Sequence, residues 1–110
     1  MSGNWLVVDD HVLATLEVAR SRGDRRRGLL GRDGVEGALL LEPARSVHTF
    51  GMRFPIDVAH VDRDRRVVRI TTMAPNRLGA FVPRARAVLE AEAGAFGRWG
   101  VTVGDRVEFR

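Results

Sequence analysis

The sequence contains no cysteine, and this absence excludes several classes of protein at once. Disulfide scaffolds, cysteine-ligated zinc, iron–sulfur clusters and thiol catalysis all require cysteine. Long apolar runs are absent as well, since runs such as 38–41 fall far short of the roughly 20 residues that a transmembrane helix needs. Asp9 and Asp10 lie where a secretory leader would have a basic start and a longer apolar stretch. We therefore expect a cytoplasmic protein with no membrane partner.

The length of the chain favours one folding unit. A chain of 110 residues, 45% of them hydrophobic, is long enough to bury one apolar core and leaves little room for a second. We therefore predict a single domain over residues 1–110.

Lysine is also absent, so all 18 basic residues are arginine and the net charge is +4. Six arginines and two aspartates lie between residues 20 and 33, so this segment carries the whole excess of positive charge. A short basic run of this kind is typical of a solvated helix face. The alternative is a weak, non-specific nucleic-acid contact through Arg20 to Arg32, which salt would suppress. We do not expect nucleic acid to be the main partner.

Alternation of apolar and polar residues with a period of two predicts strands along most of the chain. Asp9 and Asp10 form a turn signal between the first two strands, which indicates a hairpin. Ser21 and Asp24 resemble a capping box and predict one helix that ends at Gly31. The strands are predicted over 4–8, 12–18, 38–41, 47–50, 56–61, 67–73, 87–92, 101–103 and 106–109, with a helical turn over 95–99.

Many short strands and one clear helix indicate a mainly β fold. The elements predict a compact antiparallel sandwich or small barrel with one short helix near residues 21–30. A βαβ architecture would require helices between the strands, and the pattern has too few. The same alternation predicts that Leu16, Val58, Val68, Ile70 and Leu89 share one core.

Several blocks of the sequence resemble a known family. They are Arg27 to Arg32, Gly37 to Leu41, His48 to Asp57, Val88 to Glu90 with Ala93-Gly94, and Gly104-Asp105. In this order they resemble the domain of unknown function 192 family, over roughly residues 10–108. The resemblance implies a mainly β fold of jelly-roll type, with a short helix after the first strands. It implies no activity.

Motifs for metal binding and for nucleophilic catalysis are missing from the sequence. The histidines His11, His48 and His60 are not at the spacing of known metal motifs, so we expect neither a metal nor another cofactor. The serines do not lie in a nucleophile elbow. The glycines of the Gly28 to Gly34 stretch favour turns over a phosphate-binding loop.

Four polar residues form the candidate site. His48, Arg53 and Asp57 lie in the most distinctive block of the chain, and Glu90 lies in a later strand. Asp57 stands in an otherwise apolar strand, where an unpaired carboxylate is costly, so it requires hydrogen-bond donors or a cation. One interpretation is structural, with Asp57 fixing the loop that carries Pro55. The other is a cleft in which His48 and Arg53 contact a ligand that Asp57 and Glu90 orient.

The sequence leaves three functional hypotheses open. The first is a non-catalytic module that binds a small polar or anionic ligand or a peptide near these four residues. The second is an enzyme that uses His48 and a carboxylate for acid–base chemistry on a small anionic or sugar-like substrate. The third is the weak nucleic-acid contact described above. Neither the ligand nor the oligomeric state follows from the residues.

Overall fold

The computed structural model describes residues 4–110, and most of them lie in or between seven strands. The alternating segments identified in the sequence account for these strands. The strands are β1 (Asn4–Val8), β2 (His11–Ala19), β3 (Ala38–Leu41), β4 (Ile56–Asp62), β5 (Val67–Met73), β6 (Ala85–Glu92) and β7 (Val107–Phe109), and the helices are α1 (Arg22–Arg27) and α2 (Ala95–Trp99).

The seven strands form one curled sheet in the order β5-β4-β6-β3-β2-β1-β7. The sheet curls until its two ends meet. The amide of Val67 donates to Asp105 O at 2.9 Å, and the amide of Gly104 donates to Val67 O at 2.8 Å. The result is a mainly β half-barrel with short helices, which confirms the predicted fold class. One pairing differs from the antiparallel prediction, since β2 and β3 run parallel. The segment 20–37, which contains α1, is the crossover between them.

Each face of the sheet has its own hydrophobic cluster because successive side chains on a strand point to opposite sides. The inner cluster contains Leu16, Leu89 and Phe96, and α2 closes it. The outer cluster contains Val58 and Leu29 and is covered by the segments between strands. The prediction of one shared core was therefore wrong, and the core is divided between the two faces. The five predicted core residues fall as follows: Leu16, Leu89 and the partly buried Ile70 on the inner face, Val58 on the outer face, and Val68 only half-buried.

The predicted end of the helix and two of the predicted strands were wrong. The helix ends at Arg27 instead of Leu30, because Gly28 takes a left-handed φ of 51° and its amide caps the last turn on Asp24 O. Residues 47–50 form only an isolated bridge, from His48 to Leu78. Residues 101–103 form no strand. Ser21 is the helix N-cap, as predicted, and its Oγ accepts a hydrogen bond of 2.9 Å from the amide of Asp24. In residues 4–110, neither helix is long and apolar enough to cross a membrane.

Candidate functional site

The structure divides the four predicted site residues between different places. His48 and Glu90 line one cavity on the outer face of the sheet. Arg53 lies apart from it, with its side chain 61% exposed and in an ion pair with Asp33 at 2.8 Å. Asp57 points to the inner face. The predicted single cleft of four residues is therefore not formed, because strand alternation separates Asp57 from Glu90.

Asp57 is a buried carboxylate with hydrogen-bond donors on two elements. Its Oδ1 accepts a bond of 2.6 Å from the hydroxyl of Thr72, the residue opposite it on β5. Its Oδ2 accepts a bond of 3.3 Å from the amide of Phe96 in the first turn of α2. These contacts tie β4, β5 and α2 together, and neither of them is to the loop that carries Pro55.

The cavity that contains His48 and Glu90 lies beside α1 and has a volume of about 320 Å³. We refer to it as the α1 cavity. Its lining has three chemically distinct parts: arginines from α1, apolar side chains, and the carboxyl group of Glu90. The lining residues are Arg22, Arg25, Arg26, Arg27, Gly28, Leu29, Leu30, Leu41, Pro43, Ala44, Ser46, Val47, His48, Phe50, Met52 and Glu90.

Glu90 is the buried polar group of the α1 cavity. It is 4% exposed, on a strand between β3 and β4, opposite Leu39 and Val58. Its Oε1 has no hydrogen-bond partner in residues 4–110. Burial raises the pKa of the Glu90 carboxyl to about 7, and the charge of Arg32 opposes this rise. At neutral pH the group is therefore close to the midpoint between its neutral and ionised forms.

Gly28 provides the space that Glu90 occupies. A Cβ on this residue would lie 3.2 Å from Glu90 Oε1, closer than an ordinary contact, at a φ that larger residues rarely adopt. The glycine that ends α1 thus allows the carboxyl group to pack directly after the arginine-bearing turn. Arginines and carboxyl group meet in one cavity because the helix stops at this position.

The four arginines of α1 that line the cavity form no ion pair with any residue in 4–110. Arg25 is half-buried and the others are exposed. Arg32, outside the cavity lining, differs in that its guanidinium contacts both oxygens of Glu17, at 2.9 and 2.7 Å. This hydrogen bonding lowers the pKa of Glu17. In residues 4–110, no carboxylate thus forms an ion pair with the arginines that line the α1 cavity.

His48 lies exposed at the rim of the cavity. Its ring stacks on Phe50 with 5.1 Å between centroids, and its Nδ1 accepts a bond of 3.2 Å from the Phe50 amide. The next residue fixes this segment, because Thr49 is fully buried, its hydroxyl donates to Ala74 O at 2.7 Å and it accepts from the Arg77 amide at 2.8 Å. In neutral His48 the proton is thus on Nε2, the nitrogen left for other contacts.

A second buried polar side chain lies on the same face of the sheet. His60 is 2% exposed and lines a separate cavity of about 400 Å³ with Arg69, Arg77 and Leu78. Burial, and then the charge of Arg69, lower the pKa of the His60 imidazole. Its neutral form is therefore favoured. Within the described part of the chain, no group of three or more histidines and carboxylates could hold a metal ion.

The arginines of α1 and Gly28 were not predicted as site residues. Arg20 to Arg32 was interpreted as a solvated face, and its glycines as turn residues. The available signal was a glycine directly after a basic helix, together with a strand glutamate among apolar neighbours. Their spatial proximity depends on the crossover between β2 and β3, which the local pattern does not specify.

Comparisons with known proteins agree with the fold. The model of the domain of unknown function 192 family, described as Uncharacterized ACR, matches residues 6–109. A crystal structure of a protein of unknown function from Novosphingobium aromaticivorans DSM 12444 is 26% identical, with a TM-score of 0.81 over 96% of this chain and 83% of that one. A crystal structure of a proposed transcription regulator from Sinorhizobium meliloti 1021 is 25% identical, with a TM-score of 0.76 over 97% of this chain and 92% of that one. A comparison with curated proteins finds no match.

Proposed function

The chain belongs to the domain of unknown function 192 family, and we propose that it is a non-catalytic module that binds a small anionic ligand in the α1 cavity. One observation carries this proposal. Arginines without ion-pair partners and a buried carboxyl group without a hydrogen-bond partner line the same cavity.

The arginines supply the attraction for an anion. A guanidinium offers a planar pair of donors that match the two oxygens of a carboxylate or phosphate. Arg25 is half-buried, so its charge is less screened by water than that of a fully exposed arginine. A cavity volume of about 320 Å³ suits a small molecule better than a folded partner.

Glu90 supplies the second argument. A buried polar group without a partner destabilises a fold, and native proteins have few such groups. An apolar side chain of similar volume would pack against the same neighbours without this cost. A ligand that hydrogen-bonds to Glu90 would account for the presence of a glutamate at this position.

The second candidate is the enzyme that uses His48 and a carboxylate, because His48 and Glu90 line the same cavity. An acid–base pair must approach one reacting atom within hydrogen-bond distance. His48 lies at the exposed rim and Glu90 at the buried end, which favours binding over catalysis. Chemical conversion of a bound probe by the native protein, with loss of conversion in Glu90→Gln, would establish the enzyme instead.

The test of the proposal is a thermal-shift screen followed by calorimetric titration. The probes are inorganic phosphate, phenyl phosphate, phenylacetate and hexanoate, and neutral amides of the two acids are the negative controls. A ligand that binds only the folded state raises the melting temperature. We expect anionic probes to raise it and the amides to have no effect.

The matched variants are two double substitutions that remove the same charge. Arg25→Ala with Arg26→Ala changes the cavity, whereas Arg63→Ala with Arg84→Ala changes exposed arginines outside it. We expect about a tenfold or greater loss of affinity in the first, because charged hydrogen bonds contribute roughly 1.5–3 kcal/mol each, and little change in the second. Equal losses in both, or no binding of any anionic probe, would overturn the proposal.

The nucleic-acid hypothesis uses the same arginines and is distinguished by salt. One solved structure that is 25% identical to this chain is described as a proposed transcription regulator, so DNA binding is worth measuring. We expect duplex DNA to bind weakly and without sequence preference, with affinity falling steeply between about 50 and 200 mM salt. DNA binding that is selective at the higher salt would favour this third function.

A further inference from the structure

The buried end of the α1 cavity restricts which chemical group can reach Glu90. Among the lining residues, Glu90 is the single acidic side chain, and the residues opposite it on β3 and β4, Leu39 and Val58, are apolar. Leu29, Leu41 and Met52 belong to the outer hydrophobic cluster and also line the cavity. A ligand that reaches from the arginines to Glu90 therefore needs an uncharged, largely apolar body.

Charge then decides what the inner end of the ligand can be. The arginines of α1 line the cavity, the charge of Arg32 acts on Glu90 although Arg32 is paired with Glu17, and His48 lies at the rim. The β3 and β4 residues opposite Glu90, Leu39 and Val58, carry no charge. An ammonium group would be repelled by these arginines, and a second anion would meet the Glu90 carboxyl away from water.

A hydroxyl group avoids both penalties. It donates to an ionised carboxylate and accepts from a neutral carboxyl, so it can pair with Glu90 in either form. A carboxyl whose pKa is about 7 presents both forms at neutral pH. An ammonium group only donates hydrogen bonds and a second carboxylate only accepts them, so neither has the dual capacity of a hydroxyl group.

We propose that the ligand is a hydroxy acid or hydroxylated phosphate ester, with its anion on the α1 arginines and a separate hydroxyl group hydrogen-bonded to Glu90. This inference rests on the proposed function and specifies its ligand class. The anion provides attraction, and the hydroxyl group provides selectivity. A site built to hydrogen-bond a hydroxyl group rejects the analogue without it, because the buried partner then stays unsatisfied.

The test uses pairs of probes that differ by one hydroxyl group. These are 4-hydroxyphenylacetate with phenylacetate, and 6-hydroxyhexanoate with hexanoate, with tyramine as the probe that keeps the hydroxyl group and replaces the anion by an amine. Calorimetric titration gives the affinity of each for the native protein. We expect the hydroxylated member of at least one pair to bind about tenfold tighter, the value of one hydrogen bond of roughly 1.4 kcal/mol, and tyramine not to bind.

Two variants of Glu90 assign this difference to the carboxyl group. Glu90→Met introduces an apolar side chain of similar length and should make the affinities of the two members of each pair equal. Glu90→Gln keeps a hydrogen-bonding group and should retain most of the preference. A melting curve for each variant confirms that it is folded before titration.

The outcomes separate this inference from the proposed function. If both members of each pair bind the native protein equally, or if the preference persists in folded Glu90→Met, the hydroxyl assignment is wrong while anion binding stands. If anions fail to bind at all, the proposed function is wrong and the inference falls with it. If tyramine binds as tightly as 4-hydroxyphenylacetate, the arginines do not select the ligand and both proposals fail.

Discussion

Glu90 and Asp57 are buried carboxyl groups on neighbouring strands, yet their surroundings differ. Val58, the residue after Asp57, is opposite Glu90, so the two side chains point to opposite faces of the sheet. Asp57 accepts hydrogen bonds from Thr72 and Phe96, whereas Glu90 Oε1 has no partner in the described residues. At the level of single residues, satisfied hydrogen bonding distinguishes Asp57, which stabilises the fold, from Glu90.

Replacing Glu90 by glutamine should change how stability depends on pH. The folded-state pKa of Glu90 is about 7, against 4.5 in the unfolded chain, so the unfolded state ionises first as pH rises. The native protein should therefore lose stability between about pH 4.5 and 7, by about 3 kcal/mol from this group. Glutamine does not titrate, so Glu90→Gln should gain stability relative to the native protein over this interval. Urea unfolding of both proteins at pH 5 and pH 8 measures the gain, and a difference that is equal at the two values would contradict the account.

Replacing Asp57 by alanine should destabilise the fold, because two hydrogen-bond donors lose their acceptor. The expected cost is about 1–3 kcal/mol in the free energy of unfolding, and Asp57→Asn should recover much of it. His48→Ala is the matched control, since this exposed rim residue should change stability by less than about 0.5 kcal/mol. Chemical denaturation measures all three. An Asp57→Ala protein that unfolds at the midpoint of the native protein would show that these contacts do not stabilise the fold.

Among the elements, the crossover between β2 and β3 has the greatest effect on the site. Parallel neighbouring strands cannot be joined by a tight turn, so the chain crosses the outer face before it enters β3. Gly37 allows that entry, because its φ is 72° and a Cβ there would collide with both the side chain and the backbone of Thr15. This crossover places α1 on the same face as Glu90.

Gly37→Ala should therefore weaken the packing of the crossover against β2. We expect a loss of about 2–4 kcal/mol, from the left-handed backbone and the collision with Thr15 together. Gly34→Ala, three residues earlier, is the control, because a Cβ there has no neighbour within 4 Å. Thermal unfolding of the two variants compares them, and similar melting temperatures would show that the backbone at Gly37 adapts easily.

An element can be predicted from the sequence when the residues that determine it lie close together in the chain. β5 and the hairpin before it were predicted correctly, because alternation and a polar turn lie within one continuous segment. Residues 47–50 have similar composition, but buried Thr49 bonds this segment to Ala74 and Arg77 outside the sheet, which alternation does not reveal. The parallel pairing of β2 and β3 likewise depends on contacts between distant segments. His48 and Glu90 were selected as candidate site residues from their type and context. The arginines of α1 line the cavity with them only because of the parallel pairing.

The molecule as a whole uses the two faces of its sheet differently. The inner face is filled by a hydrophobic cluster that α2 closes, with Phe96 and Leu89 among its fully buried residues. The outer face is covered by irregular segments, and two cavities remain there. Each contains a buried titratable side chain, Glu90 or His60, with a polar atom that has no hydrogen-bond partner in residues 4–110. The segment with all the excess positive charge lies over that outer face. Both sides of the sheet thus stabilise the fold, and the α1 cavity lies on the outer side.

The crossover between the two parallel strands has a consequence for evolution and for engineering. Residues 20–37 contribute the arginines and Gly28 to the lining of the α1 cavity. None of these residues takes part in the pairing between β2 and β3. Insertions and exchanges in such a connecting segment disturb few strand pairings, because connections tolerate change better than the elements they join. The residues of this segment that line the α1 cavity can therefore be exchanged while the half-barrel is retained. Grafting a crossover from one relative onto the sheet of another would change the cavity lining and leave the strand pairing intact.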